Sequence, residues 1–588
     1  MKGVVGKKLW FIPIAILLLV QCQTASDIPA PDLILVNGKI ITVDSTDQIV
    51  EALAIKDGKI LAIGTSEEIS ALAVEASKKI DLGGRTVTPG LLDSHIHLSS
   101  SPWNSPDVVD LSYPNAKNID DIKQLISEQV DKVSPGEWVQ ADGLDEGKLE
   151  EQRLILAEEL DEVSPENPVW LSHTTGHYGV ANTKALELAG ITAKTPNPPE
   201  GIIERDLKGV ANGTLKESAM GLVYRKLPPI TVKDIEGGVG HMIKALNSEG
   251  MTGVKDPTIN EKRWQAYKNL LKSDSLNLRV FGLWVGGKSK ASARKAIEQY
   301  QGVQDSLTIG NKHLVSGGIK IFADGSGGAR TAWLYDEWNK DITGVDKGNY
   351  GFPNILPDTL RAMISEIHQA GIHASTHAIG DRTIDTVVTI YKEVLTNDPK
   401  KDMRHGIIHA NIPTEAALDI IEKLQNEYQA GYPEPSAAFT WWIGDTYAGN
   451  FGERAKRLNP FATFKRRGII WANGSDYAVT PFPAKYGIWS SIAREPEVGA
   501  YQETPFGTAE SVDVQTALKA ATIWTAHQMF MEDHIGSIEV GKFADLAVWD
   551  RDLYTVKTEE IKDMECLMTI FNGKVVFESD KFRKSKKQ

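Results

Sequence analysis

The sequence predicts an α/β protein. Its core is a (β/α)8 TIM-type barrel with a subdomain inserted after the first strand, and a small composite β-sandwich is built from both ends of the chain. Three observations predict this. Short apolar runs alternate with longer helical stretches through the middle of the chain, the pattern of a parallel sheet. Strand-and-turn segments of one style occur at both termini. Histidines, a lysine and an aspartate recur at the ends of the apolar runs, where such barrels carry their chemistry.

A length of 588 residues, 41% hydrophobic and 24% charged, is ordinary globular composition and excludes disordered and disulfide-scaffold classes. The formal net charge is −14. Without a basic cluster, such a chain has no electrostatic footprint for nucleic acid; the charge does not identify the substrate, and a small-molecule substrate is expected from the motifs below.

Taken in order, residues 1–22 read as a leader. Lys2, Lys7 and Lys8 precede an apolar run interrupted only by Pro13. That run is shorter than the ~20 residues a membrane span needs and suits an export signal. It ends in Leu18-Leu19-Val20-Gln21-Cys22, which resembles a bacterial lipobox. The expectation is an exported protein in the bacterial periplasm or cell envelope, anchored to a membrane through an acylated Cys22. An ordinary signal peptide with a coincidental cysteine is the alternative. Cys566, the other cysteine, then lacks a partner, so no intrachain disulfide is expected.

Residues 23–88 contain β-rich runs around the Asn37-Gly38 and Asp57-Gly58 turns, and residues 535–588 repeat the pattern around Asn572-Gly573. One β domain made of these two pieces would bracket a barrel over 89–534. Candidate barrel strands are 87–92, 252–255, 278–283, 318–322, 372–376, 406–408, 437–439 and 468–473, with helices such as 357–370 and 384–395 between the later ones. The stretch 99–233 is far too long for a loop and reads as the inserted subdomain.

Chemistry enters with the histidines. In His95-Ile96-His97, at the end of the first strand, positions i and i+2 share a face, so both imidazoles can reach one metal ion. Lys320, His377, His409 and Asp476 then fall at later strand ends. Recurrence at one phase of a βα repeat is not what core-packing histidines would do. His405 precedes His409 by four residues and keeps the same strand face, so it is placed with substrate binding, a helix-packing or surface residue being the alternative. Arg330, after the fourth strand, and His177, in Ser172-His-Thr-Thr-Gly-His177, are placed there too, with loop anchoring through carbonyls an equal reading for Arg330 and a hydrogen-bonded core role the alternative for His177. His173 is equally a lid or a core residue. Gly325-Ser-Gly-Gly is followed by no Gly-Lys-Ser/Thr, so it is no P-loop, and a Gly-x-Ser-x-Gly elbow is absent.

Pro89-Gly-Leu-Leu-Asp-Ser-His-Ile-His is similar to the first-strand motif of the amidohydrolase superfamily. Gly318-Ile-Lys-Ile-Phe-Ala-Asp-Gly-Ser, His377-Ala-Ile-Gly-Asp, Arg404-His-Gly-Ile-Ile-His and Asn473-Gly-Ser-Asp narrow this. The chain resembles amidohydrolase family 3, the YtcJ-like group that includes N-substituted formamide deformylases. The resemblance implies one or two divalent ions, zinc by default, although iron, manganese or nickel suit the same donors. It puts His95 and His97 on one ion, His377 and His409 on the second, and a carboxylated Lys320 between them. Asp476 would be both ligand and proton shuttle, so that Asp476, Lys320 and His377 form the catalytic set. The implied reaction is hydrolysis of a non-peptide C–N bond, an N-formyl or N-acyl amide, by water that the metal activates. A deaminase, cyclic amidase or isomerase of the same superfamily is the alternative. An inactive substrate-binding lipoprotein is disfavoured by the intact ligand set. The chain departs from the family pattern at Ile408, where relatives carry glutamate, which removes a carboxylate that would tune the metal. A homodimer is the default assembly.

Overall fold

In the computed structural model, which describes residues 29–101, 107–303, 308–309, 312–339, 348–499 and 504–585, seven parallel strands form a curled sheet. In chain order these are β1 (Leu91–Asp93), β2 (Met251–Ile259), β3 (Arg279–Val285), β4 (Leu314–Phe322), β5 (Ala374–Ala378), β6 (Gly406–His409) and β7 (Tyr432–Glu434), each beside its predecessor. Helices Glu261–Lys272, Lys290–Gly302, Pro357–Gln369, Asp381–Asn397 and Glu415–Tyr428 follow β2 to β6 in turn. Every residue of β2, β5, β6 and β7 is buried, because helices cover one face of the sheet and the opposing strands the other. Burial on both faces removes the alternation of a half-exposed strand, and β2, β5 and β7 bury Lys255, Asp256, Ser375, Thr376, His377 and Glu434 as well as apolar residues. The helices show the complementary stripe. Asp381–Asn397 buries Ile384, Val387, Val388, Tyr391, Val394 and Leu395 at helical spacing.

Three strand expectations change. The run 87–92 divides at Gly90. Thr86–Pro89 pairs with Leu546–Trp549 and Lys39–Ile41, whereas β1 pairs with β2. Glycine is required at this crossing, since a Cβ there would lie 2.2 Å from Thr252 Oγ1. Residues 437–439 lie in the 3-10 helix Ala437–Thr440, and the seventh strand lies a few residues earlier. Residues 468–473 form no regular strand. The adjoining segment instead makes backbone bonds to both edges of the sheet. Ala472 and Gly474 N–H donate to the Pro433 and Pro435 carbonyls (both 3.1 Å). On the other side Ser94 donates to Asn473 (3.1 Å), Asp476 to His95 (2.7 Å) and His97 to Tyr477 (2.7 Å). The segment touches β1 so closely that a Cβ on Gly474 would sit 2.7 Å from that of His95.

Both termini contribute to a six-stranded sheet in the order Lys574–Glu578, Cys566–Phe571, Leu546–Trp549, Thr86–Pro89, Lys39–Ile41, Ile49–Val50. A four-stranded sheet (Lys59–Gly64, Ala52–Lys56, Leu33–Val36, Lys78–Asp81) shares an apolar cluster with it through Leu35, Leu53, Val87, Val548 and Ile570. Between β1 and β2, six strands from Val109–Asp110 to Ala211–Glu217 form a separate sheet over their own apolar clusters. Cys566 is buried, and burial pushes its thiol up to about 12. The leader and Cys22 lie outside the described residues.

Candidate metal centre

His95 follows β1, Lys320 lies within β4 near its end, His377 lies on β5 and His409 is the last residue of β6. Strand register brings these neighbours together: Phe322 pairs with His377 and Ala378 with His409. Asp476 closes the ring from the segment bonded to β1. Its Oδ1 lies 3.3 Å from His95 Nε2 and 3.1 Å from His97 Nε2, and its Oδ2 lies 3.9 Å from His409 Nε2. Ring centroids of His95 and His409 are 5.3 Å apart, and those of His377 and His409 4.7 Å. All six residues of the expected ligand set line one cavity of about 1060 Å³.

The donor atoms fit a divalent cation. His95 Nδ1 and Nε2, His377 Nε2, His409 Nδ1, Lys320 Nζ and Asp476 Oδ1 are buried and make no hydrogen bond among the described residues. Leaving a buried polar atom unmatched costs about 1–3 kcal/mol, so this many in one ring calls for a shared partner. One donor atom each from His95, His409 and Asp476 lie within 4.8 Å of one another. Burial depresses the imidazoles of His95, His377 and His409, which keeps them neutral, the form that binds metal. Burial likewise brings Lys320 down to about 7. Burial would raise the Asp476 carboxyl, but the close approach of the His95 and His97 imidazoles holds it well below the usual carboxylate range. His409 (φ 70°) and Asp476 (φ 56°) both occupy left-handed backbone, a strain of the kind that gathers at functional sites.

Residues around the ring hold it in place. His377 Nδ1 bonds Asp324 Oδ1 (3.1 Å), and Asp324 is itself fixed by the N–H groups of Ile379 and Gly380. A carboxylate only accepts, so Nδ1 carries the proton and Nε2 is left for the cavity. Asp93 Oδ1 accepts from His95 N (2.9 Å) and Ser475 N (3.0 Å), joining β1 to the Asp476 segment. His177, from the sheet between β1 and β2, lines the cavity with its ring 5.5 Å from that of His377. Its Nδ1 faces both Glu217 oxygens at 3.0 and 3.1 Å, and Thr331 Oγ1 donates to Glu217 Oε1. Burial lowers the His177 imidazole, but Glu217 outweighs it and the net shift is upward. Sequence reasoning missed Asp324, Asp93 and Glu217. The first two lie inside the quoted motifs, whereas nothing local marks Glu217.

Two expected substrate-binding residues lie elsewhere. Arg330 is absent from the cavity lining. Its guanidinium reaches Asn450 Oδ1 (3.4 Å), and Asn450 donates to the Gly327 and Gly328 carbonyls, so this arginine braces the loop after β4. His405 shares the strand face of His409 but lies just before the start of β6, at the opposite end from the metal ring. There it accepts from Ala374 N–H at Nδ1 (3.0 Å) and faces His368 Nδ1 with Nε2 (3.0 Å). His173 is occupied by Glu146, Tyr178 and Thr175, a hydrogen-bonded core residue at the cavity wall.

These bonds set the tautomers of the buried pair. His405 donates from Nε2 to His368 Nδ1, and His368 donates from Nε2 to the Asp398 carbonyl (2.8 Å). Burial holds His405 down to about 3 in the fold, against about 6.5 unfolded. Between those values the unfolded chain binds more protons, so stability is lost as pH falls below 6.5. Between pH 7 and 5 His405 should account for about 2 kcal/mol of that loss. Denaturant midpoints at the two pH values should differ less in His405→Leu than in the parent, and an equal difference would refute the assignment.

The sequence comparison decides the family: residues 78–577 match the model of the Amidohydrolase family. The chain belongs to this family. This amidohydrolase is 30% identical to the N-substituted formamide deformylase of Arthrobacter pascens over 556 residues, 93% of this chain and 98% of that one. It is 26% identical to the putative amidohydrolase YtcJ of Bacillus subtilis over 545 residues, 90% and 96% of the two chains. Among solved structures, an uncharacterized metal-dependent hydrolase from Pyrococcus horikoshii superposes with a TM-score of 0.67 at 24% identity, covering 90% of this amidohydrolase and 99% of that chain.

Proposed function

We propose that this amidohydrolase cleaves a non-peptide C–N bond of the amide type, in an N-formyl or N-acyl compound. The observation that carries the reading is the ring of buried, unpartnered ligand atoms from His95, Lys320, His377, His409 and Asp476 at the floor of one large cavity. In this reading the seven strands and the 472–477 segment close as a (β/α)8 barrel. The sheet between β1 and β2 is an inserted lid, and the two sheets at the termini form a composite sandwich. His95, His97, His377, His409 and Asp476 would hold one or two divalent ions, and Lys320 would join them as a carbamate, formed when CO2 adds to its neutral ε-amine with loss of a proton. A buried ammonium without a partner is costly, which favours that chemistry at Lys320 Nζ. Zinc suits imidazole and carboxylate donors. When bound, such an ion supplies Lewis-acid polarisation of the carbonyl and lowers the pKa of water.

The protein's own groups do the rest. Asp476 lies within hydrogen-bonding reach of both His95 and His97. It takes the proton of the attacking water and delivers it to the nitrogen, without which an amine is a poor leaving group. His177, oriented by Glu217, presents Nε2 to the substrate from the lid. Asp324 keeps the free nitrogen of His377 turned inward.

The test is purified, metal-replete protein offered N-substituted formamides, acyl amino acids, cyclic amides and aminopurines, with His95→Ala as control and metal content measured in parallel. Release of an amine from the first two classes, with one or two metal ions per chain, is expected. No turnover together with no bound metal would overturn the reading.

A further inference from the structure

The cavity is much larger than its chemistry requires. At about 1060 Å³ it lies at the upper end of sites that enclose drug-sized ligands, roughly 300–1,000 Å³. A formyl or acetyl amide engaged at the ring would leave most of it filled with water. The lining also changes character outward. Beyond the metal ring and the His177–Glu217 pair it includes Trp170, Met220, Tyr224, Leu227, Ile230 and Val285. Trp170 and Tyr224 meet edge to face, with centroids 5.5 Å apart. The Trp170 indole N–H is satisfied by Ser172 Oγ (3.0 Å), so the buried ring has no polar demand left for a ligand. Pro228 and Pro229 fix φ beside Leu227 and Ile230, which stiffens that part of the wall.

This lining is exposed where a soluble surface would bury it. Tyr224 is 43% exposed, Ile230 44% and Val285 36%. Grouped apolar exposure at the rim of a cavity marks a ligand-binding surface. Arg225 and Lys288 share the lining, but both are exposed, and long side chains of this kind keep their charged heads in water while their stems extend apolar cover; Gln140, Asp142 and Arg263 add half-buried polar groups to the same cavity.

We propose that this outer wall is a binding subsite for an extended apolar substituent on the amide, so that the substrate class is a long-chain or aryl-alkyl amide rather than a small one. The inference rests on the hydrolase reading above, because it takes the reacting amide to lie at the metal ring. Its occupant follows from continuity: one cavity holds both the ring and the wall, so a group attached to the amide is what reaches the wall. The substituent can be carried on the acyl carbon or on the nitrogen, and the two arms of the experiment separate these.

Two homologous series test it, N-alkylformamides and N-acyl derivatives of one small amine, each lengthened one methylene at a time. In the preferred series kcat/KM should rise about three- to fourfold per methylene until the chain leaves the wall, chiefly through KM. Ile230→Ser combined with Val285→Ser should flatten the rise, with melting temperature and metal content as checks of the fold. Calorimetric titration of the metal-stripped protein with the same compounds reads the subsite without turnover. It should give affinity that grows with chain length and a negative heat-capacity change. Turnover of the shortest members, with no gain or a loss on lengthening in both series, overturns the subsite and leaves the hydrolase reading intact. Chain-length-dependent binding with no turnover of any member leaves the subsite standing and strikes the hydrolase reading. Binding that ignores chain length refutes the subsite outright.

Discussion

Asp476→Asn is expected to lower kcat by about a thousandfold or more, the range for removing a positioned proton-transfer group, while the metal stays bound. Asparagine is the informative substitution because it tolerates the left-handed backbone (φ 56°) that most residues resist. It also keeps the N–H that donates to the His95 carbonyl, and so the link between the 472–477 segment and β1. What it removes is the anionic oxygen at 3.1 Å from His97 Nε2 and 3.3 Å from His95 Nε2. An amide oxygen accepts hydrogen bonds but is too weak a base to take a proton at neutral pH. The four histidines and Lys320 remain to hold metal. Measuring kcat beside metal content by elemental analysis separates the two effects. Unimpaired kcat would remove Asp476 from the mechanism, and complete loss of metal would recast it as chiefly a ligand.

The second large effect concerns stability. Lys255 and Glu434 form an ion pair at 2.7 Å with both side chains fully buried, and Ser375 Oγ donates to the second Glu434 oxygen at 2.7 Å. Gly406 leaves room for this pair, since a Cβ there would lie 2.0 Å from Glu434 Oε1. Lys255→Met should destabilise the fold by about 3–5 kcal/mol, because it strands a carboxylate in the protein interior. Lys255→Met with Glu434→Leu should recover most of that loss, since the desolvation penalty disappears with both charges. Denaturant midpoints of the two variants decide it. If the double variant is as unstable as the single one, packing around Lys255 matters more than its charge.

The family was legible because it is written in local patterns. His95-Ile96-His97 needs only the two-residue period of a strand to place both imidazoles on one face. Lys320, His377, His409 and Asp476 each close a recognisable segment. The structure brings all six together around one cavity, and the family match over residues 78–577 agrees with the motifs.

What sequence could not supply was the third dimension of each pattern. Periodicity tells which face a residue occupies but not which end of the strand. Four residues of strand are about 13 Å, so His405 and His409 share a face and lie at opposite ends of β6, one in a buried histidine pair and one in the metal ring. Arg330 was read from its distance in sequence to Lys320, but the loop turns it toward Asn450. The seventh strand and the closing segment were misplaced because irregular backbone joined by a few hydrogen bonds carries no period to detect. Glu217 and Asp324 matter through contacts across 40 and 53 positions of sequence. The sequence by itself determined the family and which residues gather around one cavity. The tertiary structure decided which nitrogen of His377 is turned to the cavity, which groups hold it there, and how much apolar space lies beyond, because those depend on chain segments meeting that are distant in sequence.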